Sequence, residues 1–205
     1  LELALDRLGV GYATGRTINP RVIYCSISGF GATPAATGTG RAMDSIIQAL
    51  SGLMMTSGTP GDPPVRVGVP VADLLAPVFG VVGVLAALRQ RELTGAGQHV
   101  DVSMLGVLTS FVAAEPFDLL EACGLAQRTG RMVPRLTPFG VYQSADGHVA
   151  ICAPTEQFAR GVFAAIGHPE FEADPSYATR DARVANVDAL NGVIERKPIY
   201  QDLGR

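Results

Sequence analysis

"VGVPVADLLAPVFGVVGVLAALRQRELTGAGQHVDVSML", Val67–Leu105, decides how the rest of the chain is read. Between Arg66 and Arg89 the one charged side chain is Asp73, set between Pro70 and Pro77. An ionised carboxylate is costly to bury without a partner, so Asp73 must be paired, hydrogen-bonded or useful. From Leu74 to Arg91 the pattern is helical and apolar nearly all round, which predicts a buried helix. The uncharged run Leu74–Leu88 has fifteen residues. About 18 are needed to span a membrane, so a membrane role is not expected. Arg89 and Arg91 fall in the last turn, where the helix dipole favours cations, and Gly95 is the stop signal. "HVDVSML" (His99–Leu105) alternates polar and apolar, the pattern of a strand.

Asp73 therefore sits at or next to the start of a long helix. Free backbone N–H groups and the positive dipole end stabilise an anion there. Two readings follow from position alone. Asp73 is an N-cap, worth typically ~1 kcal/mol, or it is a poorly hydrated carboxylate used as a nucleophile.

Outward from this stretch, Leu1–Leu8 reads as the end of a helix stopped near Gly9. "RVIYCSIS" (Arg21–Ser28) reads as a strand after the turn signal Asn19-Pro20. Gly31–Gly40 is a Gly-, Thr- and Ala-rich loop. "MDSIIQALSGLM" (Met43–Met54) places Ile46, Ile47, Leu50, Leu53 and Met54 on one helical face. Gly106–Gly124 is helical with a break at Pro116. "FGVYQSADGHVAICA" (Phe139–Ala153) is a hairpin turning at Asp146-Gly147, and Phe158–Ile166 and Asp181–Glu195 are helices. Interleaved helices and strands predict an α/β architecture. The boundary is expected near Pro134–Pro138, giving domains 1–134 and 135–205.

The 205 residues are 47% hydrophobic and 17% charged, an ordinary soluble globular composition. A formal net charge of -3 argues against nucleic acid as a partner. Of 16 basic residues Lys197 alone is lysine; arginine suits planar phosphate or carboxylate recognition, and base composition explains it equally. Cys25 and Cys152 lie in apolar runs and read, with Cys123, as free thiols, the first two buried. His99, His148 and His168 share no ligand spacing, so no metal site is expected. The opening "LELALDRLGVGY" shows no signal peptide, and a cytoplasmic location is expected.

The surrounding words resemble a known family. "NPRVIYCSISGFG", "D-x-x-x-Q-A-x-x-G" (Asp44–Gly52), Asp73 and "ALRQRELTGAGQHVDVSML" occur in the order seen in class III CoA-transferases. That family includes formyl-CoA:oxalate and carnitine CoA-transferases and shares its fold with α-methylacyl-CoA racemases. The resemblance runs from "LDRLGVGY" through "SADGHVAICAPTEQF" to "DPSYATRDARVANVDAL", nearly the whole chain.

The resemblance implies a Rossmann-like large CoA-binding domain carrying the catalytic aspartate, plus a smaller α+β domain, both incomplete at the chain ends. It implies an interlocked homodimer and a transferase moving CoA from an acyl-CoA donor to a small carboxylic acid. No tightly bound cofactor is implied, coenzyme A being part of the substrate. Asp73 matches the catalytic aspartate, which attacks the acyl-CoA thioester to give a mixed anhydride and then an aspartyl-CoA thioester. Such intermediates need shielding from water. Arg7 in "LDRLG" matches an arginine on CoA phosphates, Leu8 an apolar residue on the nucleotide, Arg41 a basic residue on the same molecule, and Met104 a methionine beside CoA.

Related racemases carry a "G-H-D" tripeptide whose His moves protons; here Ala42-Met43-Asp44 replaces it, and Met cannot transfer protons. Asp44 either orients neighbouring loops or caps a helix. "RMVPRLTPFGVY" (Arg131–Tyr142) lacks the glycine-rich loop that closes over the aspartyl intermediate in some transferases, and "IERKPIYQDLGR" departs from the family's pattern. A racemase, which Met43 disfavours, and an inert acyl-CoA-binding module with a structural Asp73 are the competing readings.

Overall fold

The computed structural model describes residues 2–32, 42–144 and 147–196. The expected loop tip at Asp146 and most of Gly31–Gly40 lie outside them. The chain separates into two compact units, one of residues 1–57 and 62–127, the other of residues 58–61 and 128–205. The division falls at Gln127/Arg128, and Pro134–Pro138 lies inside the second unit.

The first unit begins with α1 (Glu2–Arg7), ended by Gly9 at φ +71°, and α2 (Tyr12–Ile18). β1 (Tyr24–Ser28) pairs in parallel with β2 (His99–Ser103), from Tyr24 opposite His99 to Ser28 opposite Ser103. A parallel pair needs a long crossover, and here it carries α3 (Asp44–Leu50) and α4 (Val71–Thr94). β2 is shorter than the alternation suggested. At Ser103 the side chain accepts from the Gly106 N–H and caps α5 (Met104–Val112), so "ML" belongs to the helix. Pro116 begins α6 (Phe117–Ala122), the break the sequence suggested.

The five-residue apolar face expected over Met43–Met54 is divided. α3 ends at Leu50, Gly52 takes φ +81°, and Leu53–Met55 form a separate 3₁₀ turn. Ile47 is buried, whereas Ile46 and Leu50 are exposed.

The expectation that α4 is buried all round is overturned. Its buried residues are Ala72, Ala76, Gly80 and Ala87, while Leu74, Val82 and Leu85 are 58–61% exposed. Small side chains let a helix approach a sheet closely, and this stripe does so. A Cβ on Gly80 would touch Cys25 Sγ at 3.4 Å, and one on Gly83 would lie 2.5 Å from Val100 Cγ1. The large residues consequently point away from the strand pair. The helix is long and apolar enough to cross a membrane by length and composition, and its small-residue face packs on β1 and β2. Two apolar clusters hold it: Ile47, Ala72 and Leu108, and Ala76, Val102 and Val107.

Gly97 leads into β2 where the backbone leaves no room. A Cβ there would stand 1.9 Å from the Val22 carbonyl oxygen, while the Gly97 N–H donates to Pro20 O at 2.9 Å. A backbone oxygen cannot swing aside as a side-chain end can. Gly97→Ala is expected to destabilise the chain by about 1–3 kcal/mol, read from urea midpoints. Gly68→Ala, where nothing lies within 4 Å, is the control and leaves the midpoint in place.

In the second unit β3 (Phe139–Gln143) pairs antiparallel with β4 (His148–Cys152), the hairpin the sequence suggested. α7 (Glu156–Ala165) and α8 (Arg180–Ala185) start from Thr155 and Thr179, whose side chains accept from the Phe158 and Ala182 N–H groups. The helix expected over Asp181–Glu195 breaks at Asn186, whose Nδ2 donates to Ser176 O and Ala182 O, and resumes as α9 (Val187–Arg196). Tyr142, Ala159, Phe163, Ile166, Leu190 and Ile194 form the core. All three cysteines are free and exposed, which corrects the expectation that Cys25 and Cys152 are buried. Each sheet has two strands among the described residues, so every strand is an edge there.

Candidate functional site

Asp73 is the third residue of α4, in its first turn. It is not the N-cap: Pro70 takes that position and makes no side-chain capping bond. The cap arrives from another helix, since Asp44 Oδ1 accepts the Ala72 N–H at 2.8 Å. Of the two roles open for Asp44, orienting a neighbouring segment is the observed one; Met43 stands at the N-cap of α3 and Asp44 is that helix's first residue.

Gln48, one turn further along α3 and fully buried, completes the arrangement. Its Nε2 donates to Asp44 Oδ2 at 2.7 Å and to Val69 O at 3.3 Å. Its Oε1 accepts the Val67 N–H at 2.9 Å. An Asp and a Gln four residues apart share a helix face, and the buried amide has donors and acceptor satisfied. Four residues after Asp73, Pro77 has no N–H to give to the Asp73 carbonyl, so that rung of the helical ladder is missing.

The Asp73 side chain is exposed. Among the described residues it has no hydrogen-bond or ion-pair partner. Its apolar sequence neighbours do not enclose it, because Leu74 and Phe79 are themselves exposed. What the fold supplies is the positive end of a 24-residue helix, a place that suits a negatively charged group. The result is an accessible carboxylate on a fixed helical turn, able to act as a nucleophile or to bind a cation.

Met104, the first residue of α5, is half-buried and packs against both apolar clusters that hold α4. It thus touches the buried side of the helix that carries Asp73. Arg7 ends α1 and is exposed, and Leu8 follows it, 73% exposed. Arg41 lies outside the described residues. Asp44, Gln48, Ala72 and Met104 are therefore brought to the turn of Asp73, whereas Arg7 and Leu8 stand at the end of α1, which packs on α2.

Two features were not anticipated. Gln48 lies inside the quoted D-x-x-x-Q pattern, so its spacing was the available signal. The other is a cleft of about 200 Å³ lined by Asp6, Gly11, Tyr12, Ala13, Tyr24 and His99. Tyr12 stacks on His99 at 5.1 Å, and His99 Nε2 lies 2.6 Å from Ser26 Oγ. The strand register that sets Tyr24 opposite His99 creates it, and no local pattern announces that register.

An acetyl-CoA:oxalate CoA-transferase of Acetobacter aceti is 40% identical over 94% of this chain and 49% of its own length. A succinate–glutarate CoA-transferase of Agrobacterium fabrum is 33% identical over 95% of this chain and 48% of its own. A CAIB/BAIF family protein from Brucella suis superposes with a TM-score of 0.78 at 31% identity, covering 99% of this chain and 54% of the other. The chain spans about half the length of the relatives it matches. The model of CoA-transferase family III matches residues 2–197, and the chain belongs to that family.

Proposed function

We propose that this chain carries the nucleophile of a CoA-transferase that moves CoA from an acyl-CoA donor to a small carboxylic acid. The observation that carries the reading is an accessible carboxylate, Asp73, in the first turn of α4 within a chain that belongs to CoA-transferase family III. Relatives named as transferases acting on oxalate, succinate and glutarate support a carboxylate acceptor.

The Asp73 carboxylate attacks the donor thioester carbonyl, forming a mixed anhydride as CoA thiolate leaves. The thiolate attacks the aspartyl carbonyl, giving an aspartyl-CoA thioester and releasing the donor's carboxylate. The acceptor carboxylate then attacks the aspartyl carbonyl, forming a second anhydride and expelling the thiolate. Thiolate attack on the acceptor's acyl carbon frees Asp73 and yields the new acyl-CoA. Each step exchanges one acyl bond for another, so no oxidant or reductant enters. Arg7 holds CoA phosphates in this reading, Arg41 contacts the same molecule, Leu8 packs on the nucleotide and Met104 lies beside CoA.

Water must be kept from the anhydride, and the exposed large residues of α4 supply a surface for a second protomer to cover. Met43 stands where a racemase carries its proton-transferring His, and a thioether does not exchange protons at Cα. The test incubates the chain with an acyl-labelled acyl-CoA and a carboxylate acceptor, then traps with hydroxylamine. Hydroxamate at Asp73 with formation of the new acyl-CoA supports transfer. Cα-proton exchange without modification of Asp73 would favour a racemase, and neither signal would leave an inert binding module.

A further inference from the structure

We propose that Asp44 and Gln48 are positioning residues for Asp73, holding the first turn of α4 at the geometry its acylation requires; the inference rests on Asp73 being the nucleophile. Every backbone group that the pair's side chains engage outside α3 lies in the short stretch leading to that carboxylate: the Val67 N–H, the Val69 carbonyl and the Ala72 N–H. The helix start has no side-chain cap from its own N-cap residue. Pro70 has no polar side-chain atom with which to cap, and Pro77 cannot donate to the Asp73 carbonyl. The turn is thus anchored from α3 as well as by its own helix, where the Leu74 N–H donates to Pro70 O at 3.0 Å.

The chemistry of the pair suits this task. Asp44 is acceptor-only when ionised and faces two donors, Ala72 N–H at 2.8 Å and Gln48 Nε2 at 2.7 Å. Gln48 uses its amide in both senses, so each residue fixes the orientation of the other. Buried networks in which every member is satisfied rigidify what they touch. Asp44 and Gln48 meet no reacting atom in this scheme and act through the placement of Asp73. A shift of the turn by about 1 Å would cost on the order of a hundredfold in rate.

The test uses near-isosteric changes in the full chain, so that no cavity opens. Asp44→Asn sets an amide nitrogen against Gln48 Nε2, and Gln48→Glu sets a carboxylate against Asp44. Each single change is expected to lower kcat about tenfold or more with KM for the acyl-CoA donor within about threefold of wild type. The double change Asp44→Asn with Gln48→Glu reverses the polarity. The amide oxygen introduced at position 44 still accepts from Ala72, and its nitrogen donates to the carboxylate introduced at position 48. That carboxylate still accepts from Val67. The double variant is expected to recover several-fold of the lost kcat, short of wild type because Val69 O loses its donor.

Amide hydrogen exchange at residues 72–74 is expected to quicken in the singles and slow again in the double, a readout independent of turnover. Wild-type kcat in both singles overturns the proposal, as does a double variant no better than the product of the singles. A KM that rises in step with the fall in kcat also overturns it. Failure of the nucleophile reading is seen separately: wild type would transfer CoA with no hydroxamate formed at Asp73 in the hydroxylamine trap. Hydroxamate at Asp73 with undisturbed kcat in the singles would sink the positioning role alone.

Discussion

Asp73→Asn is expected to abolish CoA transfer, lowering kcat by about a thousandfold or more, because a neutral amide cannot take the part of an anionic nucleophile. The substitution is close to isosteric and keeps a short polar side chain at a first-turn helix position. Removing the charge from the N-terminal turn forfeits about 0.3–1 kcal/mol of dipole interaction, too little to unfold the first unit. Asp73 is exposed and lacks a partner among the described residues, so no network collapses with it. Loss of activity with an unchanged melting temperature therefore isolates the chemistry from the fold. Asp73→Glu keeps the charge and moves it by one methylene; a displacement of this size costs roughly a hundredfold, and hydroxamate at position 73 still forms slowly in the hydroxylamine trap. Transfer by Asp73→Asn at more than a tenth of the wild-type rate would remove Asp73 from the mechanism and leave the carboxylate as a structural feature of the helix start.

The parts of the fold legible in the sequence were those set by local rules. β1, the hairpin β3–β4, the stop at Gly95 and the break at Pro116 follow from alternation, turn residues and missing donors. The parts that were not depend on contacts between residues far apart in the chain. Apolar periodicity counts hydrophobic residues and is blind to size. It therefore missed that Ala72, Ala76, Gly80 and Ala87 are the buried face of α4 and that its larger residues are the exposed ones.

The role of Asp44 shows the same limit at the site. Its bond to Ala72 spans 28 positions, and nothing local distinguishes a side chain that caps its own helix from one that caps another. Asp73 itself could be singled out, because one carboxylate in a long apolar run is conspicuous at any level. The nucleophile role proposed for it rests on the order of surrounding motifs, and its exposure became visible only in the fold.

Arg183→Ala is expected to destabilise the second unit by about 3–5 kcal/mol through the unpairing of buried carbonyls and the loss of a packed side chain. Arg183 is fully buried. Its Nε donates to Thr137 O at 3.1 Å and its Nη1 to Tyr177 O at 3.2 Å, joining the approach to β3, the loop before α8 and α8 itself. Burial pushes its pKa down, partly offset by Glu156, yet a guanidinium stays charged at any working pH. Glu156 is a weak counterion, its Oε1 lying 3.9 Å from Nη2, so the two carbonyls are the main compensation for the desolvated charge.

Arg183→Lys separates these contributions. A single ammonium cannot span two carbonyls fixed for a planar fork, so it is expected to recover less than half of the loss although it retains the charge. Glu156 adds a pH dependence of known sign. Its carboxylate is held below the usual range chiefly by its own backbone N–H and that of Arg180, so its contribution is present at neutral pH and fades as pH falls through the folded-state value below 4.5. Glu156→Gln should flatten that acid limb and leave the Arg183→Ala deficit at neutral pH nearly unchanged. Urea unfolding followed by amide exchange over Phe139–Cys152 reads both effects. A deficit below about 1 kcal/mol for Arg183→Ala would mean that water replaces the guanidinium at Thr137 O and Tyr177 O without loss.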